Sequence, residues 1–207
     1  MVHGIPGQDL GADPALPVDV SVNGDCALPG FSFGQIAGPL SLPAGDYEIA
    51  VSVANSGAPC SNAPVIGPVT VPFAGGENIS IVAHLTEQGA PTASTYVNDV
   101  SAIRNRARLV ARHVAAAPAV DIRLFRLSNE KESQLRVIKN VTNGQEAQTE
   151  LNAGRLKTRV FVAGTRDEVL EAQHRLEKRK LYLEYVVGSP ANGTLQLLEQ
   201  VIDLPSP

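Results

Sequence analysis

The segment Pro17-Val18-Asp19-Val20-Ser21-Val22-Asn23-Gly24 decides the fold class. Val18, Val20 and Val22 recur at every second residue, Asp19 and Ser21 take the opposite face, and Asn-Gly ends the run. This is the two-residue period of a half-buried strand leading into a tight turn. Ala119-Val120-Asp121-Ile122-Arg123-Leu124 repeats the pattern in the second half of the chain. Leu42-Pro43-Ala44-Gly45 has its own echo in Leu151-Asn152-Ala153-Gly154, and each leads into an alternating run, Tyr47 to Val53 and Leu156 to Val162. Leu181 to Val187 takes the place of Ile79 to Leu85, and Leu195 to Ile202 that of Thr95 to Val100. An internal repeat is therefore expected, with turn signals at the spacing of a β-sandwich.

Composition points the same way. The chain has 207 residues, with 18 Gly, 15 Pro and no Trp, and Val and Ile are abundant. Such a mixture favours β-branched strands separated by many turns over long helices. The length suits two domains of ordinary size. We expect an all-β chain of two tandem immunoglobulin-like β-sandwich domains, an acidic one over residues 1–103 and a basic one over 104–207. The boundary lies near Ala102 to Arg106, where charge composition changes and a new strand, Ala107 to Val114, begins.

That change in charge is abrupt. The net charge is -4, yet residues 1–101 hold nine acidic side chains and no Lys or Arg, whereas the remainder holds twelve acidic and seventeen basic. Opposite domains of this kind attract within a chain or between neighbouring chains, or are simply two differently decorated surfaces. Nucleic acid is a poor partner, because the basic residues are laced with Glu and the acidic half repels phosphate. No run is long and apolar enough to span a membrane. The opening Met1-Val2-His3-Gly4 runs almost directly into a first strand, as if an initiating Met stood on a mature fragment.

Cys26 and Cys60 are the only cysteines. Each lies in a Gly/Pro-rich segment expected to be a loop, and an oxidising compartment would join them in a disulfide. Two reduced thiols are the alternative, and no nearby His supports a metal site there. Asp19 and Asp121 interrupt valine-rich strands, either to receive hydrogen bonds from a turn or to face water. A calcium role is less expected, since neither belongs to an Asp/Asn-rich ligand loop. Gly45 and Gly154 are read as turn glycines at positive φ.

At these segments the chain resembles the DUF4397 family, a domain of unknown function in secreted or surface proteins. The resemblance rests on Val2-His3, on Leu16 to Gly24, on Phe33-Gly34 and on Leu40 to Tyr47. It returns in Arg112-His113-Val114, Ala116 to Ile122 and Leu151 to Gly154, with a divergent second copy. The resemblance implies a compact β-sandwich and export, and it nominates no catalytic residue.

Motifs for chemistry are absent. No pair of the four histidines has a close metal-ligand spacing, and His3 and His113 occupy comparable positions at the starts of the repeats. A zinc site built from distant residues stays a minority alternative. No serine sits in a Gly-x-Ser-x-Gly elbow, and no glycine cluster makes a phosphate loop. Paired carboxylates that meet only in space leave no motif. Thr165-Arg166-Asp167-Glu168 reads as a helix cap or as the approach to a strand with Leu170, Ala172, His174 and Leu176 on one face. The repeat favours the strand.

The expectation for function is a non-enzymatic extracytoplasmic structural or assembly module, a homo-oligomer or a partner of another surface protein, with no cofactor. Head-to-tail filaments of acidic on basic domains are its most specific form. A carbohydrate or cell-envelope polymer module is the alternative, weakened by the few aromatics. A hydrolase with a non-motif carboxylate site ranks below it.

Overall fold

The computed structural model describes residues 1–129 and 131–206, and among them there is no α-helix. The chain divides into two compact units, one of Met1–Leu85 with Gly89–Asp99, the other of Thr86–Gln88 with the residues from Val100 onward.

In the first unit the strands are β1 (Val2–His3), β2 (Val18–Val22), β3 (Asp25–Phe31), β4 (Gly45–Val53), β5 (Pro64–Phe73), β6 (Asn78–Leu85) and β7 (Pro91–Asn98). They form two sheets, ordered β1-β6-β7 and β3-β2-β4-β5. Alternation turns Val18 and Val20 of β2 and Ile49 and Val51 of β4 inward, and a register shift in β5 brings both Ile66 and Val71 to the same buried face. Pro68 suits an edge strand or a bulge, since proline cannot donate to a ladder. It lies on the outermost strand β5, where the register with β4 shifts between Ile49 and Val51.

The second unit contains β8 (Arg106–His113), β9 (Val120–Ser128), β10 (Lys131–Val141), β11 (Glu146–Asn152), β12 (Gly154–Val162), β13 (Glu168–Leu176), β14 (Lys180–Val187) and β15 (Gln196–Asp203). Its sheets are β11-β8-β14-β15 and β10-β9-β12-β13. One apolar core joins them, with Leu109 of β8, Ile122 and Leu124 of β9, Leu156 and Val160 of β12 and Val186 of β14. The segment with two readings is a strand, and Leu156 of β12 pairs with His174 of β13.

Pairing follows one pattern in both units. The opening strand runs parallel to a later one, β1 to β6 and β8 to β14. The strand after the Asp-bearing one folds back on it, β3 on β2 and β10 on β9. The units differ next to the opening strand. Where β11 lines β8, the first unit makes only an isolated bridge between Val2 and Ile36.

One local expectation needs correcting. Cys26 lies within strand β3, not in a loop. The run at Leu40 to Leu42 lies outside the strands, and both leucines are exposed. Pro39 and Pro43 bracket that run and remove the donors a ladder would need.

Candidate functional site

Asp19 and Asp121 occupy matching places and do matching work. The Asp19 carboxylate is buried and accepts hydrogen bonds from the backbone N–H groups of Gly30 at 2.8 Å, Asn55 at 3.0 Å and Cys60 at 2.8 Å. Burial pushes its pKa up, but these three donors outweigh it and hold the carboxyl below the usual range. Asp121 accepts from Asn140 at 3.0 Å and Gly164 at 3.3 Å. Gly30 and Asn140 both have positive φ, at 62° and 57°. Each Asp thus ties its own strand to the neighbouring strand and to a later turn.

Cys26 and Cys60 form a disulfide with Cα atoms 5.7 Å apart, and Cys60 is itself one of the Asp19 donors. His3 and His113 repeat a second device. Both rings are buried, and Nε2 lies 2.9 Å from the carbonyl of Leu16 in one and of Pro118 in the other. Both carbonyls lie just before the Asp-bearing strand. Burial lowers the pKa of both rings, against the hydrogen-bonded carbonyls.

Gly45 and Gly154 open β4 and β12 with φ of 156° and 138°. At Gly154 any side chain would run into the Arg126 guanidinium, which donates to the carbonyls of Asn152 at 2.7 Å and Ala153 at 3.0 Å.

The mouth of each sandwich, between its last two outer strands, is where the units diverge. In the first unit it is an apolar cavity of about 400 Å³, lined by Ile49 of β4, Val71 of β5, Ile81 of β6 and Thr95 of β7 among others. Register places four residues of the second unit at the same points. Ile81 pairs with Thr95 as Glu184 of β14 pairs with Glu199 of β15. Val71 sits across from Tyr47 as His174 sits across from Leu156, and Thr158 stands where Ile49 does, two residues along each strand. The apolar lining is replaced by Thr158, His174, Glu184 and Glu199.

These four side chains meet. His174 Nδ1 lies 2.7 Å from Glu199 Oε2, and Nε2 lies 3.2 Å from Glu184 Oε1. Thr158 Oγ1 is 3.4 Å from both Glu184 oxygens. Glu184 has no exposed side-chain surface, His174 retains 7% and Glu199 32%. Burial raises the Glu184 pKa to about 7, with the Glu199 charge adding to the effect and His174 and Thr158 opposing it. Burial alone would lower the His174 pKa; the Glu199 hydrogen bond and the two carboxylates raise it instead. No spacing in the sequence announced this cluster, since its members come from four strands in two sheets.

The DUF4397 family model, described as a domain of unknown function, matches residues 1–123. The chain belongs to this family. The DUF4397 match takes in the whole first unit and the opening of the second, and ends just past Asp121. The His174 cluster therefore lies outside the part matched as DUF4397. No curated protein matches the chain. Among solved structures it is similar to a candidate cell adhesion protein from Bacteroides uniformis, at 10% identity and a TM-score of 0.33, covering 91% of each chain. A candidate cell adhesion protein from Bacteroides ovatus follows at 10% identity and 0.30, covering 100% of this chain and 97% of that one. A non-hemolytic pneumolysin from Streptococcus pneumoniae shows 14% identity and 0.32 over 55% of this chain, which spans 26% of that protein. Likenesses this slight carry no argument about function.

Proposed function

We propose that the chain is a non-enzymatic extracytoplasmic structural module that joins copies head to tail, the acidic unit of one against the basic unit of the next. The observation that carries this reading is the division of charge, nine acidic residues and no Lys or Arg in residues 1–101 against seventeen Lys and Arg thereafter. The fold gives the division a surface. Lys131, Arg136 and Lys139 stand exposed along β10, the outermost strand of its sheet, and Asp25, Asp46 and Glu48 stand exposed on β3 and β4. A contact between two different patches does not close on itself, so it builds a row. The disulfide supports an oxidising compartment, and no helix among the described residues is long and apolar enough to cross a membrane.

Light scattering across concentration, at low and moderate salt and without reductant, tests the proposal. Mass that grows with concentration and falls on adding salt is expected. A constant monomer in dilute buffer overturns it. The carbohydrate alternative has less support, because Tyr96, Tyr182 and Tyr185 are buried and only Tyr47, half-buried against Phe73, keeps an accessible ring.

A further inference from the structure

Glu184 occupies a core position between Tyr182 and Val186, both members of the apolar cluster. A fully buried carboxylate costs several kcal/mol unless something positive sits beside it. Its cross-strand neighbour Glu199 makes matters worse, since like charges directly opposite repel. The imidazole is the only cationic group in contact with it among the described residues, and that ring is already committed. The carboxylate of Glu199 accepts at 2.7 Å, so the proton belongs to Nδ1. Nε2, buried and without a hydrogen-bond partner, lies 3.2 Å from Glu184 Oε1, a gap that takes a second proton or a metal ion.

We propose that Nε2 of His174 and the carboxylate of Glu184 bind a divalent cation of the zinc class, with Glu199 orienting the ring through Nδ1–H. One imidazole nitrogen with carboxylate oxygen suits zinc better than magnesium or calcium. A carboxylate that accepts from the far ring nitrogen is the usual support of a histidine ligand, fixing its tautomer and raising its basicity. The atoms that three such residues offer lie within 4.8 Å of one another. Thr158, on β12 beside the His174 strand, contributes a hydroxyl beside Glu184. Glu199, 32% exposed, is the side of the cluster nearest solvent, from which an ion and its waters would enter. The first unit supplies the contrast: with Val71, Ile81 and Thr95 at the matching points, its mouth is an apolar cavity with no ligand set. This inference is independent of the assembly reading.

The test is calorimetric titration of the chelator-stripped full chain with zinc chloride against a magnesium background, followed by ring ¹⁵N spectra of the four histidines. One saturable site is expected, with the His174 resonances moving and those of His3, His84 and His113 unchanged. Glu184→Gln should abolish binding, and Glu199→Gln should weaken it about ten-fold or more. Absence of saturable binding by the unmutated chain overturns the proposal and leaves a shared proton as what lies between Nε2 and Glu184. Binding that leaves the His174 resonances in place, or that survives Glu184→Gln undiminished, overturns it as well. Should Glu184→Gln fail to fold, the spectra and the Glu199→Gln titration still decide.

Discussion

Asp19 shows how one side chain can hold three pieces of backbone. Its carboxylate satisfies N–H groups of Gly30, Asn55 and Cys60, which come from a strand and from two points in the turn region after β4. Buried donors left without an acceptor cost more than the bonds themselves contributed. Asp19→Asn keeps the shape but puts an amide among donors, and should destabilise the first unit by about 2 kcal/mol or more in urea denaturation at neutral pH. The pH dependence has a definite sign. The folded pKa lies below the ordinary aspartate value, so the unfolded chain binds the proton more readily. The contribution is complete above the unfolded value and is lost as pH falls through the folded one, so the gap between wild type and variant should narrow only below about pH 4. A gap that stayed constant into strong acid would mean the carboxylate charge is not what the donors need. At Gly154 the constraint is backbone and space together. With φ at 138° and Arg126 packed over it, Gly154→Ala should cost the second unit about 1–3 kcal/mol, measured in the same way.

At the scale of elements, the disulfide ties strand β3 to the turn holding Cys60 across 34 positions of sequence. Cys26→Ser with Cys60→Ser should lower stability by about 3–4 kcal/mol in the loop-entropy account, read as a shift in denaturant midpoint. The mouth of the first unit makes the opposite prediction. Thr95→Ile adds apolar volume to the cavity between β5 and β7, and an increase of about 0.5–1 kcal/mol is expected. No gain would mean the space collapses in solution. Legibility of the sequence follows from the same physics. Strands such as Val18–Val22 and Tyr47–Val53 were readable because one face meets a core and the other water, which writes a period of two. Strand β3, Asp-Cys-Ala-Leu-Pro-Gly-Phe, was missed because Pro29, Gly30 and a register shift against β2 erase that period. The paired roles of Asp19 with Asp121 and His3 with His113 were visible as positions, though not as bonds. His174, Glu184 and Glu199 were invisible as a group, since only the stacking of two sheets brings them together.

For the whole molecule the deciding quantity is where charge is left over after the second unit has paired its own. Lys157 lies 2.7 Å from Glu132 and 3.0 Å from Glu171, and Arg159 contacts Glu132, Glu168 and Glu171. Those cations are spent on neighbours in the same sheet and add little to a long-range field. Lys131, Arg136 and Lys139 are exposed on an outer strand, where lysines also serve to discourage strand-on-strand pairing. The two roles separate under charge reversal. If the strand guides assembly, Lys131→Glu, Arg136→Glu and Lys139→Glu together should abolish the concentration-dependent growth in mass, because the acidic unit of a neighbour now meets like charge. If the lysines only guard the edge, the neutral set Lys131→Thr, Arg136→Thr and Lys139→Thr should increase association and make it insensitive to salt. Both sets change exposed side chains, so thermal unfolding should move by less than about 0.5 kcal/mol per site. Sedimentation at two ionic strengths reads the association of every variant from the same samples. Growth that persists in the glutamate variant would place the contact elsewhere and remove β10 from the interface.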